Sequence, residues 1–165
     1  MSLIISEEQK MLKDSAAELL KTKAPVSEMR KLRDAKYTPY DIKLWEEIVN
    51  MGWTALTVPE IYNGLDFGFV GLGQILEEIG KNLSKSPLIS SILLGASALR
   101  LSDNEPLKRK LFPGIMGGTT QLAFAFQEGK YHQTTSFSTK AVLQGENYLI
   151  NGSKKIVIDG STANQ

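Results

Sequence analysis

Few side chains in this 165-residue chain have the type and spacing that catalysis requires. The only histidine, His132, has no histidine or cysteine near it, and its nearest carboxylate in sequence is Glu128. This isolation favours a solvated loop histidine over a metal ligand or a general base. Glu77 and Glu78 are adjacent, and neighbouring residues of a helix point about 100° apart, so a solvated helix face is expected rather than a catalytic pair. The individual residues therefore reveal no catalytic centre.

Composition and charge exclude several classes of function. The chain carries 19 Lys and Arg against 18 Asp and Glu and contains no cysteine. Balanced charge disfavours nucleic acids and anionic membranes as partners, and the missing cysteine excludes disulfides, thiolate chemistry and cysteine-ligated metals. The N-terminal sequence lacks the pattern of a signal peptide, and the apolar run from Leu88 to Leu99 is too short to span a bilayer. A cytoplasmic protein without a membrane span is expected.

Residues 1–118 carry helical periodicity and predict an N-terminal all-α helical bundle. Ser6 and Gln9 have capping-box spacing, so a first helix is expected from Glu7 to Thr22. Thr38 is predicted to cap a later helix that starts at Pro39. Ile42, Trp45 and Val49 line one face of that helix, and an extended segment is expected from Trp53 to Pro59. A further helix should end near Gly80, and a central helix should run from Leu88 to Leu101. Ser102 and Glu105 are predicted to cap a last helix that ends near Phe112, before a boundary at Pro113, Gly114, Gly117 and Gly118.

Residues 119–165 change period and predict the first strands of an antiparallel β-domain, which makes the fold class α+β. The segment from Gln121 to Phe126 is apolar and aromatic, as expected of a strand buried on both faces. It is followed by the polar stretch 127–138. A long loop at the end of a buried strand is where a ligand site is expected.

Two turn signals divide the rest of the chain. Thr139 to Leu143 and Tyr148 to Ile150 flank the predicted three-residue loop Gly145 to Asn147. Asn151-Gly152 then stands between two β-type runs, and this dipeptide is the strongest short hairpin signal. A meander of at least three further strands is therefore predicted.

Four motifs, in order along the chain, resemble the acyl-CoA dehydrogenase family. MGWTALTVPEIYNGLDFG is similar to the family's P-E-x-x-G-G stretch, and LEEIGKNL is similar to its E-E-L-G-R helix. KRKLFPGIMGGTTQLAFAFQE resembles the lead-in to the flavin loop, and INGSKKIVIDG resembles the N-G-x-K-x-W-I-T-N strand. The match covers essentially the whole chain. The strings QEGKYHQ and KIVIDG look closest to the branch that includes the small subunit of pimeloyl-CoA dehydrogenase.

The resemblance implies FAD as cofactor and the α,β-desaturation of an acyl-CoA thioester, with an electron-transfer flavoprotein as electron acceptor and a homo- or hetero-oligomeric assembly. In the family, the catalytic base and the contacts to the adenine end of FAD come from a C-terminal helical domain. The chain is therefore expected to be an inactive fragment of a chain more than twice as long, with no catalytic residue of its own. By analogy, the residues expected to contact the isoalloxazine ring are Phe124, Phe126 and Gln127 at its polar edge and Ile156, Val157 and Ile158 on its other face.

Two positions depart from the family pattern. Gln127 replaces a threonine, and a glutamine still donates and accepts, so the change is expected to stay within the roughly 0.5–1.5 kcal/mol of a net hydrogen bond. Ile158 replaces a hydroxyl residue and offers only packing. The departures leave two hypotheses open, an FAD-dependent enzyme and a non-catalytic structural subunit of a heteromeric dehydrogenase. A stand-alone α+β binding domain is the third.

Overall fold

The computed structural model describes residues 4–35, 39–131 and 134–165. The described chain is a helical bundle followed by one antiparallel hairpin and irregular segments, so the predicted α+β architecture is confirmed. The elements in chain order are α1 (Glu7–Lys23), α2 (Val26–Asp34), α3 (Ile42–Asn50), the 3-10 turns Trp53–Ala55 and Glu60–Tyr62, α4 (Gly68–Asn82), the π-helix Leu88–Ala96, α5 (Ser97–Leu101), α6 (Glu105–Met116), β1 (Lys140–Gln144) and β2 (Asn147–Asn151).

The first helix begins where its sequence predicts. The Gln9 N–H donates to Ser6 Oγ at 3.2 Å, and the Ser6 N–H donates to Gln9 Oε1 at 3.0 Å, which completes the capping box. The helix packs on α4, burying Ala16 and Leu20. Lys13 joins the same pair of helices through a 2.7 Å ion pair to Glu77.

The start of α3 was predicted wrongly. The helix begins at Ile42 and is capped by Asp41, whose carboxylate accepts from the Lys43 and Leu44 N–H groups at 2.9 and 3.3 Å. Thr38 lies outside the described residues. Of the predicted face, Trp45 is buried and Val49 is partly buried against the core, whereas Ile42 is 66% exposed. The helix also buries Leu44 and Ile48.

The segment after α3 is not extended, contrary to the prediction. Gly52 adopts φ 73°, which turns the chain, and Trp53–Ala55 follows as a 3-10 turn. This turn buries the Trp53 ring completely. Thr54 Oγ1 then donates to Met116 O at 2.7 Å, which ties the turn to the end of the last helix.

The later helices match the predictions in part, since the central helix spans Leu88 to Leu101 as predicted. The α4 helix passes Gly80 and ends at Asn82, where Leu83 takes a left-handed φ of 52°. The central helix is a π-helix in its first nine residues and α-helical afterwards. Ser102 does not cap α6, because its hydroxyl donates to Leu99 O at 2.8 Å and completes α5.

The cap of α6 is Asn104, whose side-chain oxygen accepts from the Leu107 N–H at 3.0 Å. The helix continues through Pro113 and Gly114 to Met116, so these two residues of the predicted boundary do not end it, whereas Gly117 is its C-cap. A proline removes one helical hydrogen bond, and here it does so in the last turn, where the loss is small. The extra turn buries Ile115 beside Phe112 in the core.

Glu78 also departs from expectation, because it is buried rather than solvated. Its carboxylate pairs with Lys81 at 2.7 Å and lies 4.0 Å from Lys13. Glu77, half exposed, pairs with the same two lysines. The pair of glutamates thus joins α1 to α4. The fully buried side chains of the core include Trp53, Phe112, Leu20, Ile48, Leu72, Ile75, Leu88, Ile92, Ile115 and Val58.

The hairpin forms close to its predicted position. β1 pairs with β2 in a register that places Gln144 opposite Asn147. The turn therefore has two residues, Gly145 and Glu146, and not the predicted three, because Asn147 joins the ladder. Gly145 supplies the positive φ of 62° that the turn requires.

The remaining β predictions are wrong for the described residues. The segment Gln121 to Phe126 is extended but lies outside the hairpin ladder, and it is not buried on both faces, since Phe124 is 44% exposed. Asn151-Gly152 does not form a turn, because Gly152 continues past Thr139, where a Cβ would lie 2.3 Å from Oγ1. Beyond it, Ile156 adopts a left-handed φ of 57°, which interrupts extended geometry, so the described chain forms no third strand of the predicted meander.

Candidate functional site

Two stretches of chain run side by side next to the helical bundle, and we call residues 121–128 the first segment and residues 154–165 the second segment. The Lys155 N–H donates to Gln127 O at 2.7 Å, and the Asn164 N–H donates to Gln121 O at 3.0 Å. Every residue predicted to contact a cofactor lies in one of these segments. The fold therefore brings together two groups of residues that are separated by a whole hairpin in sequence.

The first segment carries an aromatic cluster on one side. The Phe124 and Phe126 rings stack with centroids 5.8 Å apart and planes 13° apart, and Phe137 meets Phe126 edge-on at 5.0 Å. Phe124 and Phe137 are the exposed members of this cluster, at 44% and 42%. The cluster thus offers an accessible aromatic surface that a planar ring could contact.

Small residues line the opposite side of the first segment, since side chains alternate along an extended chain. Ala123 and Ala125 face a cavity of about 660 Å³ together with Val157 and Gly160 of the second segment. A second cavity of about 410 Å³ shares Val157 and Gly160 and adds polar groups. Val157 and Gly160 thus line two cavities, of which only the larger also borders the first segment.

Gln127 does not point its amide nitrogen toward this space. Its Nε2 donates to Gly129 O at 3.4 Å and to Tyr131 O, and its backbone oxygen is taken by Lys155. The side chain therefore closes its own loop. Of the second segment, Ile156 and Ile158 are 81% and 51% exposed and form an apolar strip. Val157 between them is half-buried and lines the same cavity as Ala123 and Ala125.

A charged pair that the sequence did not reveal joins the segments. Lys154 Nζ donates to Glu128 Oε1 at 2.8 Å and to Phe126 O at 3.2 Å. The Glu128 carboxylate also accepts from the Ser138 and Thr139 N–H groups at 2.5 and 3.0 Å. In sequence, Glu128 stood out only as the carboxylate nearest His132, which lies outside the described residues. No local signal marks Lys154 as its partner, since Lys155 is the next residue.

These contacts change the acidity of the carboxyl group. The hydrogen bond from Lys154 makes the largest contribution, and together with the hydrogen bonds from Thr139 and Ser138 it lowers the pKa of Glu128 from 4.5 to about 2. Charge-assisted hydrogen bonds favour the ionised form, so protonation costs the folded state its contacts. The closure of the loop between residues 128 and 139 therefore depends on a charge.

We predict that this closure weakens in acid. Because the folded pKa is depressed, the stabilisation is present above pH 4.5 and is lost as the pH falls from 4.5 toward about 2. Hydrogen-exchange protection of the Ser138 and Thr139 amides should fall over this range. In Glu128→Gln, protection of the same amides should be low and nearly independent of pH. Equal pH profiles in both proteins would contradict the prediction.

Comparison with known proteins identifies the fold. Residues 6–119, most of the chain, match the family model for the acyl-CoA dehydrogenase N-terminal domain. The chain belongs to the acyl-CoA dehydrogenase family. It is 29% identical to the mitochondrial isovaleryl-CoA dehydrogenase of Solanum tuberosum over 98% of this chain and 40% of that protein.

Solved structures show the same fold. A chain in the structure of the electron transferring flavoprotein of Acidaminococcus fermentans is 27% identical, with a TM-score of 0.80 over 99% of this chain and 43% of that chain. A chain of the ChsE4-ChsE5 complex from Mycobacterium tuberculosis has a TM-score of 0.86 at 21% identity, over 99% of this chain and 43% of that chain. The chain thus spans about 40% of the length of the curated relative it matches.

Acyl-CoA dehydrogenases are FAD-dependent flavoproteins. The described residues fit part of such a cofactor, because an open aromatic ring at Phe124 and an apolar strip at Ile156 to Ile158 suit the faces of a flat ring system. They do not supply a side-chain hydroxyl at position 158. No helix among the described residues is long and apolar enough to cross a bilayer.

Proposed function

We propose that residues 1–118 form the N-terminal helical domain, and residues 119–165 the opening of the flavin-binding β-domain, of an FAD-dependent acyl-CoA dehydrogenase. The reaction is the desaturation of an acyl-CoA thioester between its α and β carbons. The observation that carries the proposal is the 2.7 Å bond from Lys155 to Gln127, because it holds the two groups of predicted flavin contacts side by side in a chain of this family.

When bound, FAD would accept the β-hydrogen as hydride. The role of this chain would be to hold the isoalloxazine ring and exclude water from it. Phe124 and Phe126 would contact one edge of the ring, while Ile156, Val157 and Ile158 would pack on a face. Gln127 would act through the loop that its amide closes. No described residue is proposed as the base that removes the α-proton, so residues 1–165 alone are proposed to be inactive.

The second candidate function is a non-catalytic subunit that keeps the fold and supports an active partner. Two observations favour it. Ile158 offers no hydrogen bond to a flavin, and the Gln127 amide nitrogen is engaged with the carbonyls of its own loop. A subunit of this kind would bind FAD weakly, whereas the enzyme would bind it firmly.

The proposed partners follow the family. They are an acyl-CoA substrate, an electron-transfer flavoprotein and further copies or subunits in an oligomer. The likeness to a chain in an electron transferring flavoprotein structure supports the second of these. The pimeloyl-CoA dehydrogenase branch, the cytoplasmic location and membership in a longer chain stay predictions from the sequence.

A spectroscopic experiment tests the proposal. The intact protein, expressed from its full reading frame and loaded with FAD, should lose its visible flavin absorbance when acyl-CoA thioesters of several chain lengths are added without oxygen. The loss reports reduction of the flavin by substrate. Bound FAD that no thioester bleaches would overturn the catalytic proposal, and failure to retain FAD at all would favour the non-catalytic subunit.

A further inference from the structure

Two consecutive serines of the π-helix Leu88–Ala96 connect the helical bundle to both segments of the proposed flavin site. Ser90 and Ser91 are fully buried. Buried hydroxyl groups need hydrogen-bond partners, and these two find theirs far along the chain. Ser91 bonds the first segment and Ser90 bonds the second.

The contact with the first segment combines a hydrogen bond and close packing. Ser91 Oγ accepts from the Leu122 N–H at 3.1 Å. One helical turn further along, Gly95 lies against the Leu122 side chain, where a Cβ on the glycine would stand 2.4 Å from Leu122 Cβ. These contacts thus fix the distance between the first segment and the helical bundle at Leu122, two residues before Phe124.

The contact with the second segment is a hydrogen bond to a carboxylate. Ser90 Oγ donates to Asp159 Oδ2 at 2.7 Å, and it lies 3.2 Å from Pro87 O within its own helix. Hydrogen bonds from a hydroxyl to a carboxylate are among the strong ones. Asp159 follows Ile158 directly and adopts a left-handed φ of 52°. Aspartate tolerates this conformation better than most residues with a side chain.

The π-helix explains why neighbouring residues can serve both segments. In an α-helix, adjacent side chains point about 100° apart. A π-helix closes its hydrogen bonds one residue later, so each turn holds more residues and adjacent side chains diverge less. Ser90 and Ser91 therefore both reach the side of the helix where the two segments lie. Helices of this type occur mostly as short insertions, frequently at functional sites.

We infer that Ser90 and Ser91 are positioning residues of the flavin site, which set the depth and spacing of the two segments that flank the cofactor. The inference rests on the proposed function, because it concerns the same segments. Ser90 has the larger share, since its bond to Asp159 anchors the apolar strip Ile156 to Ile158 on the helical bundle.

The test uses intact protein and the variant Ser90→Ala. Hydrogen exchange at residues 156–160 should become faster than in the wild type. The dissociation constant for FAD should rise about 10-fold, the effect of losing a hydrogen bond to a charged group, and the visible spectrum of the bound flavin should change. Asp159→Asn keeps an acceptor oxygen for the hydroxyl but loses the charge, so it should change both quantities in the same direction and by less than Ser90→Ala, whereas Asp159→Ala should behave like Ser90→Ala.

The matched control is Ser97→Ala in the helix that follows. Ser97 Oγ is also buried but has no hydrogen-bond partner among the described residues, so its loss should change neither exchange nor FAD affinity. Wild-type exchange at residues 156–160 in Ser90→Ala would overturn the inference, as would equal loss of FAD affinity in both variants. If the wild type binds no FAD, the proposed function fails, and the exchange measurement still decides whether Ser90 holds the second segment.

Discussion

Replacing Phe112 with alanine is expected to lower the free energy of unfolding by about 3–5 kcal/mol. The ring is fully buried in the core and packs against Tyr62 with centroids 4.9 Å apart. Its removal forfeits the transfer of a large apolar group from water and leaves a cavity that rigid neighbours only partly fill. Ile115 and Ile92 lie in the same core and cannot move far without breaking their own helices.

Urea denaturation followed by circular dichroism measures this effect. Phe69→Ala is the matched control, because Phe69 is the same residue type on a helix but is 48% exposed. Its replacement should cost less than about 1.5 kcal/mol. A loss for Phe112→Ala no larger than that of the control would mean that the core around α6 is not packed as described.

Gly64→Ala is expected to lower the free energy of unfolding by about 3 kcal/mol or more, the upper part of the range for overpacking. An added Cβ would stand 2.0 Å from the backbone oxygen of Val58 and 2.4 Å from its carbonyl carbon. Backbone atoms cannot rotate away as a side chain does. The same Val58 oxygen accepts from the Asp66 N–H at 3.0 Å, so relief of the clash would break the loop that this bond closes.

Gly73→Ala provides the opposite result with the same chemical change. Gly73 lies within α4, and a Cβ there meets nothing within 4 Å. Alanine is the better helix former by about 0.5–1 kcal/mol, so this variant should be slightly more stable than the wild type. Thermal or urea unfolding of both variants checks the pair. Equal effects at the two positions would contradict the close approach of residue 64 to Val58.

Local signals decided which parts of the fold could be predicted. The capping box at Ser6 and Gln9 was found because its partners are three residues apart and need no other part of the chain. At the starts of α3 and α6, more than one polar residue could act as the N-cap. Asn104 rather than Ser102 caps α6, because the Ser102 hydroxyl bonds to the end of the preceding helix. Which residue acts as the cap therefore depends on where that helix ends.

The hairpin of β1 and β2 was predicted correctly, but the turn at Asn151-Gly152 and the buried strand from Gln121 to Phe126 were not, for a related reason. Asn151-Gly152 has the composition of a turn, but the ladder of β1 and β2 carries it past Thr139 instead. Turn propensity is local, while register depends on the partner strand. The aromatic run at Phe124 and Phe126 was identified as part of the site, yet its exposure on one side depends on which segments lie next to it.

By itself, the sequence determined the helical character of the first two thirds, the change to extended structure near residue 119 and the resemblance that leads to the acyl-CoA dehydrogenase family. These features rest on periodicity and short motifs. Only the tertiary structure decided that Lys154 contacts Glu128 and that Ser90 contacts Asp159. The first pair is separated by 26 positions in sequence and the second by 69. The physical reason is that such contacts form only after chain entropy has been offset by packing elsewhere, so no local pattern encodes them.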